Sequence, residues 1–329
     1  MNTLSKRRLL LLALLLVLAF LPIFNGCERG ARVEDAARTS DSLRIISTAP
    51  SITETLFALG LDDEVVAVSD YCKYPERAKE LPKIGSLYEY NVEKIVELEP
   101  DYVVVLKENE ILPPRLAKLG IEVVKVDHTS LEGVFDSFES LGKLFEHGAL
   151  RGGVLRRAVG AHDRGLALRR EQESRLESIR ARTSKLTKPR ILVSIYRTLG
   201  TGKISEAYIA GANPFFNSAL EIAGGVNVGR DLPGVAPTTN AEGVVSLNPD
   251  VILDLSTDGI ERDAAARERD GALRSADWEA LGSEVVAVRD GRVYQIFDDY
   301  ATVPGPRAIL FIEDLARLLH PELEPSVEQ

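Results

Sequence analysis

Cysteine is scarce in this chain: of 329 residues only Cys27 and Cys72 carry a thiol. Cys27 follows a leucine-rich leader, so once it is acylated Cys72 has no disulfide partner and stability must come from packing. Histidine is also scarce. His128, His147, His162 and His320 show none of the spacings that hold a structural or catalytic metal. No G-x-S-x-G elbow is present and no G-x-G-x-x-G follows the first strand, which removes two common enzyme signatures. Gly200-Thr201-Gly202-Lys203 looks like the end of a phosphate loop. Arg197, however, stands where its first Gly is required, and Ile204 where the Mg-binding Ser or Thr is required. Positive charge is in deficit as well. The 40 Lys and Arg against 50 Asp and Glu leave a net charge of −10, which argues against a nucleic-acid partner.

What is present begins with an export signal. Lys6, Arg7 and Arg8 precede the apolar run Leu9–Leu21, and Asn25-Gly26 then meets Cys27. This is the layout of a secretory signal peptide. A cysteine at that point resembles a bacterial lipobox, although Phe24 stands where Leu is usual. The alternative is an uncleaved signal anchor, for which the run is short of the about 20 residues a span needs. Residues 1–26 are read as the signal peptide and 27–42 as the lipidated Cys27 with a flexible tether. The folded part is then exported to the periplasm or cell-envelope surface and held to a membrane. Cys72 reads as a buried small residue.

The strongest internal signal is a repeat. Asn91–Leu106, NVEKIVELEPDYVVVL, returns at Asn240–Leu255 as NAEGVVSLNPDVILDL, with seven of sixteen positions identical. Chance under average residue usage gives about one. Each copy reads as an N-capped helix, a Pro-Asp stop and a buried strand, so the chain has two related halves. Around the first copy, strands at Arg44–Ile46, Glu64–Val68, Tyr102–Leu106 and Glu122–Val126 alternate with helices at Ile52–Leu59 and Pro113–Leu119. Around the second, Arg190–Val193 restarts the pattern. A long loop, Tyr196–Pro214, leads to a helix at Phe215–Ala223. Strand Val251–Leu255, a polar helical segment at Arg262–Leu281, and strands Val285–Val288 and Val293–Ile296 follow. Ala308–Leu319 closes the chain as an amphipathic helix.

The fold class is therefore α/β, with two Rossmann-like lobes of mostly parallel sheet and a ligand cleft between them. The N-terminal lobe spans 43–130, a helical linker 131–188, the C-terminal lobe 189–320, and a tail 321–329. Within the linker, Ala149–Leu186 reads as a long charged helix, with Gly152, Gly153, Gly160 and Gly165 as points of a possible break. It is either a solvated helical hairpin or a rigid strut.

Two sets of residues stand out. Glu93 and Glu242 occupy the same first-turn position in the two copies, while Lys94, Glu97 and Glu99 become Gly243, Ser246 and Asn248. An acid there complements the helix dipole; its persistence also suits a pair of docking points. The second set is aromatic. Tyr71, Tyr74, Tyr88, Tyr90, Tyr196, Tyr208, Phe215 and Phe216 lie on or beside loops, and loops at strand C-termini are where open α/β sheets bind ligands.

RIISTAPSITETLFALG, KIGSLYEYNVEKIVELEPDYVV, NPFFNSALEIAGGVNVG, NAEGVVSLNPDVIL and PGPRAILFIEDLARLLHPE together resemble the helical-backbone periplasmic binding proteins of ABC importers for cobalamin, heme and ferric siderophores. The resemblance runs from about Arg44 to His320 and implies two α/β lobes joined by one long helix. It also implies that Glu93 and Glu242 meet arginines of a membrane permease with its ATPase. The cleft would be lined by Tyr71, Asp299, Tyr300, Ala301, Thr302 and Val303. Two tryptophans expected in a cobalamin binder fall at Leu87 and Ala236, and Tyr88 would stack on the ligand in their place.

The implied function is capture, as a monomer and without catalysis or cofactor, of a bulky metal chelate. Cobalamin is the first expectation and heme the alternative, with Tyr71 or Tyr300 as axial phenolate. A ferric siderophore would lean on Arg197 and Arg307. An exported enzyme of unknown activity and an adhesive lipoprotein are the readings from other classes.

Overall fold

The structure, a computed structural model, describes residues 42–86, 89–151, 154–255 and 276–323. Four short parallel strands form the first sheet: β1 (Ile45–Ser47), β2 (Val65–Val68), β3 (Tyr102–Leu106) and β4 (Glu122–Val126), in the order β2-β1-β3-β4. β1 and β2 are wholly buried and β3 nearly so, because helices cover the sheet as parallel sheets require. Those helices are α1 (Pro50–Ala58), α2 (Val92–Glu97) and α3 (Leu112–Ala117).

The linker contains α4 (Leu131–His147), an antiparallel hairpin of β5 (Ala149–Arg151) and β6 (Val154–Arg156), and α5 (Ala161–Thr183). The second sheet follows. β7 (Arg190–Arg197), β9 (Val226–Asn227), β11 (Val251–Asp254) and β12 (Val293–Gln295) run parallel in the order β9-β7-β11-β12, which repeats the first sheet. Two antiparallel strands, β8 (Ala207–Ile209) and β10 (Thr238–Thr239), extend it. Its helices are α6 (Pro214–Ile222), α7 (Ala241–Leu247), α8 (Val286–Arg289) and α9 (Ala308–Leu319).

The repeat is duplicated down to single hydrogen bonds. Asn91 Oδ1 accepts from the Lys94 amide at 2.9 Å, and Asn240 Oδ1 from the Gly243 amide at 3.0 Å. The residue before each proline is left-handed, Glu99 at φ 44° and Asn248 at φ 41°, which ends the helix. Asp101 Oδ2 then accepts from the Arg44 amide at 2.9 Å, and Asp250 Oδ2 from the Arg190 amide at 2.8 Å. Arg44 caps the Leu98 carbonyl through Nε and Nη2, and Arg190 caps Leu247 and Asn248. Each Pro-Asp stop thus ties the end of one helix to the start of its half's first strand, satisfying carbonyls that a helix C-terminus leaves open.

The linker departs from the expected long helix. Ala149–Arg156 is a hairpin, bounded by Gly148 at φ 75° and Gly160 at φ 76°. A Cβ on Gly148 would lie 2.0 Å from the Arg156 carbonyl oxygen, so the close turn needs glycine. The 23 residues of α5 give about 35 Å rather than 50 Å. α4 and α5 pack on each other, and both contribute to two cores. Leu131, Val134, Phe135 and Phe138 of α4, with Leu176 and Ile179 of α5, join the core under the second sheet. Leu141 and Phe145 of α4, with Ala161 of α5, join the core under the first. The Arg164 side chain donates to the Leu59 carbonyl behind α1, while Thr183 Oγ1 donates to Ile222 O of α6 at 2.8 Å. Two antiparallel helices, rather than one, lie across both sheets.

Three smaller expectations also change. Val285–Val288, read as a strand, is mostly the short helix α8. Asn248 Oδ1 accepts from the Val286 amide at 3.0 Å, and the Ala287 amide donates to Pro249 O at 3.0 Å. These bonds wrap the run around the second Pro-Asp stop. The long loop after Tyr196 contains β8, and Tyr196 itself belongs to β7. Val96, which helical periodicity places with Val92, Ile95 and Leu98 on one apolar face of α2, is 44% exposed. Most of the helical segment expected at Arg262–Leu281 lies outside the described residues.

Candidate functional site

The loops that leave the C-terminal ends of the strands meet at one ion pair. Arg307, just before α9, donates from Nε to Glu54 Oε2 at 3.0 Å and from Nη2 to Glu54 Oε1 at 2.5 Å. Glu54 sits in α1, in the other half and 253 positions away. Arg307 Nη1 also reaches Asp299 Oδ1 at 2.9 Å. Its guanidinium lies 3.8 Å from the ring centroid of Tyr74, a cation–π contact. The loop after β2 and the loop after β12 are thereby brought together.

The chain forces this geometry locally. Pro50 starts α1 directly after β1, so Ser51 and Glu54 lie near the sheet's C-terminal edge. Gly305 lies against the same helix start: a Cβ on it would stand in ordinary contact with Ser51 Cα and Glu54 Oε2, each at 3.4 Å. The Glu54 side chain is 2% exposed and that of Arg307 16%. Burial pushes the Glu54 pKa above its usual value despite the guanidinium. Burial alone would lower that of Arg307, but the bonds to Glu54 and Asp299 hold it above its ordinary value. The pair is lopsided because Glu54 has lost nearly all its water while Arg307 keeps some and has a second carboxylate.

Beside Glu54 lies a buried histidine. His128 Nδ1 is 2.8 Å from Ser51 Oγ and Nε2 is 2.9 Å from Ser137 Oγ, joining α1 to α4. Burial lowers its pKa to about 4, so it is neutral and hydrogen-bonded rather than a base in waiting. Cys72 is buried with its thiol between Thr53 Oγ1 at 3.0 Å and Ser69 Oγ at 3.1 Å, and burial raises its pKa. It packs as a small residue, as expected.

Of the residues singled out from sequence, Tyr71 is 62% exposed on the loop after β2. Asp299 is tied to Arg307. Tyr300 Oη donates to Asp314 Oδ2 of α9 at 2.5 Å, and burial with that carboxylate raises its pKa. Its phenol is committed to the protein. Ala301 is fully buried in the core, Thr302 is exposed, and Val303 is half-buried. Tyr88 and Cys27 lie outside the described residues. Tyr90 is core, its hydroxyl accepting from Asn109 Nδ2 at 2.9 Å. Glu93 and Glu242 are both exposed at their helix starts.

Arg197 is not a cleft cation. It is 3% exposed and donates to Asp254 Oδ2 from Nε at 3.1 Å and from Nη2 at 2.9 Å, and to Asp277 Oδ2 from Nη1 at 2.5 Å. Trp278 Nε1 also donates to Asp254 at 2.9 Å. Asp277 in turn accepts from the amides of Gly200 at 2.8 Å and Gly202 at 2.5 Å. The loop that looked like a phosphate cradle therefore holds one of the protein's own carboxylates. Sequence reasoning missed Glu54 altogether; a lone acid inside the otherwise unbroken run SITETLFALG was its only signal. Among the described residues no cluster of His, Cys, Asp and Glu fits a metal ion, and no helix is long and apolar enough to cross a membrane.

Comparison with known proteins agrees with this architecture. The model of a periplasmic binding protein family matches residues 45–150. An uncharacterized ABC transporter substrate-binding lipoprotein of Bacillus subtilis, YvrC, is 30% identical over 294 residues, covering 88% of this chain and 83% of that protein. The vitamin B12-binding protein of Vibrio vulnificus is 27% identical, covering 83% and 88% of the two chains. Among solved structures, the periplasmic heme-binding protein RhuT from Roseiflexus sp. RS-1 in its apo form superposes with a TM-score of 0.65 at 26% identity, over 85% of this chain and 98% of its own.

Proposed function

This chain belongs to the periplasmic binding protein family of ABC transporter substrate-binding proteins, and from that membership we propose that its ligand is cobalamin. Members of the family are solute-binding proteins that work with a permease and its ATPase. In the proposed reading the chain is anchored through Cys27, takes the corrinoid against the loops carrying Tyr71 and Asp299–Val303, and docks through Glu93 and Glu242.

The observation that carries this reading is the Arg307 junction. It gathers the loop after β2 and the loop after β12 at one edge, where an open α/β sheet receives a ligand. The similarity to a vitamin B12-binding protein over most of both chains favours a corrinoid as occupant. Tyr71, exposed on the same loop as Tyr74, supplies an aromatic face.

Heme is the second reading, and one contrast supports it. Tyr71 has the exposed phenol that an iron needs, whereas Tyr300 is bonded to Asp314. An anionic ferric chelate is disfavoured, since Arg197 is buried and Arg307 already faces two carboxylates.

Titration of the purified protein with cyanocobalamin, hemin and ferric chelates, followed by absorbance and native mass spectrometry, tests the proposal. Retention of cyanocobalamin supports it; retention of hemin alone, abolished by Tyr71→Phe, selects the second reading. Binding of none of these would sink both. Glu93→Ala with Glu242→Ala is expected to leave ligand affinity unchanged and abolish uptake by cells. A matching loss of affinity would move those glutamates into the cleft.

A further inference from the structure

A ligand can use the Tyr71 loop and the Asp299–Val303 loop together only if the two stand at a fixed separation. One side chain touches both. All three guanidinium nitrogens of Arg307 are engaged, Nε and Nη2 with the two carboxylate oxygens of Glu54 and Nη1 with Asp299 Oδ1. The ring of Tyr74 lies against the same guanidinium, 3.8 Å from carbon to centroid. Glu54 and Tyr74 belong to the first half, and Asp299 to the second. Tyr74 is on the loop that carries Tyr71, and Asp299 starts the loop that ends at Val303. Arg307 is therefore committed to protein on every nitrogen, which suits it to hold the loops rather than to touch a ligand.

Both ends of this contact are braced. Glu54 is one turn from Ser51 in α1, and Ser51 Oγ is joined through His128 to Ser137 of α4. The first turn of α1 is thus pinned to the linker. On the other side Arg307 follows Pro304-Gly305-Pro306, in which two rings fix φ. It leads into α9, whose Ala308, Ile309, Phe311 and Ile312 are buried in the core under the second sheet. Asp299 closes its own loop, its carbonyl accepting from the Thr302 amide at 3.0 Å and the Val303 amide at 3.1 Å. A planar guanidinium forked onto a carboxylate fixes direction as well as distance, which a lysine ammonium does not.

We infer that Arg307 is a positioning residue that holds the Tyr71–Tyr74 and Asp299–Val303 loops at their binding separation before any ligand arrives. This role rests on the ligand site proposed in those loops, and adds that the empty protein is already preorganised there. Binding then needs no closing of one loop on the other. Loosening the clasp lowers the apparent affinity by the fraction of molecules left competent.

The first measurement is made on the ligand-free chain. Arg307→Lys keeps the charge and removes the fork. Hydrogen exchange of the amides at 71–74 and at 299–303 is expected to quicken together, each about tenfold, with β3 and β11 unchanged. The loops lie in different halves, so a paired change reports the contact they share. Glu54→Gln keeps the shape, removes the carboxylate charge and is expected to give the same paired change; it decides the matter if the lysine variant does not fold. Cyanocobalamin affinity, measured well below the unfolding midpoint, should fall about tenfold in each variant. A merely structural role would lower the midpoint and leave the affinity of the folded protein where it was. Quickening of one loop alone or of neither overturns the inference, as does unchanged affinity with both loops loosened. If the unsubstituted chain does not retain cyanocobalamin the proposed ligand falls, and the exchange result still decides whether Arg307 holds the loops.

Discussion

The two halves share one plan and differ at one end of it. At the N-terminal ends of their strands they are nearly copies: Arg44 and Arg190 cap the same helix carbonyls, and Asp101 and Asp250 hold the same amides. At the C-terminal ends they part. After β1 the chain turns at once into α1, with Ser47 Oγ 2.7 Å from Thr53 Oγ1 and Thr48 Oγ1 donating to Val104 O at 3.0 Å. After the matching point β7 runs on, pairs with β8, and buries Arg197 against Asp254 and Asp277. The position of Asp254 in the repeat is held by Val105 in the first half, which is fully buried. Apart from Glu54, whose partner Arg307 comes from the other half, the first half closes this end with apolar packing and hydroxyls, and the second with its own buried ion pairs. A duplicated scaffold keeps the end that terminates helices and varies the end at which ligand binding is proposed.

The comparison is broken most severely at the buried charge. Asp254→Ala leaves Arg197 without its doubly bonded carboxylate and is expected to cost roughly 3–5 kcal/mol in urea unfolding; a loss below 1 kcal/mol would mean that water replaces the carboxylate. The first half is expected to show its own weakness in acid. His128 protonates at about 4 in the fold and near 6.5 in the unfolded chain. Its contribution is complete above 6.5 and is lost as pH falls through about 4, a total of about 3 kcal/mol. His128→Gln should flatten that part of the stability–pH curve.

At the junction between the halves, Arg307→Ala is expected to cost about 2 kcal/mol near neutral pH by stranding Glu54. Glu54 has a raised folded pKa, so its protonated form favours the fold. The cost should therefore shrink as pH falls below neutral, which unfolding midpoints at two pH values will show. The smallest change sharpens the likeness instead. Glu99→Asn gives the first copy the residue that the second uses at its left-handed position, and is expected to add up to about 1 kcal/mol of stability.

Much of this architecture was legible because it is written locally and twice. The Asn caps, the Pro-Asp stops and the apolar strands each occupy a few consecutive residues, and seeing them repeated gave two related halves, whereas the strand orders came only with the structure. The Ala149–Arg156 hairpin was not legible, since its Arg-rich surroundings have helical composition and only glycine conformation breaks them. The α8 turn was misread because Val-Val-Ala-Val has strand composition, while its fold is set by bonds to Asn248 and Pro249. In the candidate site the tyrosines and the Asp299 loop could be named from sequence, whereas Glu54 could not. Its partner is 253 residues away, and no local pattern carries a pairing of that length. Asp277 was hidden for the same reason, its cradle lying at Gly200 and Gly202.

The paired helices α4 and α5 have a consequence for how this molecule comes apart. One end of α4 supplies four side chains to the core under the second sheet, and its other end supplies Leu141 and Phe145 to the core under the first. Melting either core would strip a helix that the other needs, so the two sheets are expected to be lost in a single cooperative transition. Native-state exchange should find no partly unfolded species with one sheet intact. A cut between the halves would leave each fragment an open core rather than a smaller protein.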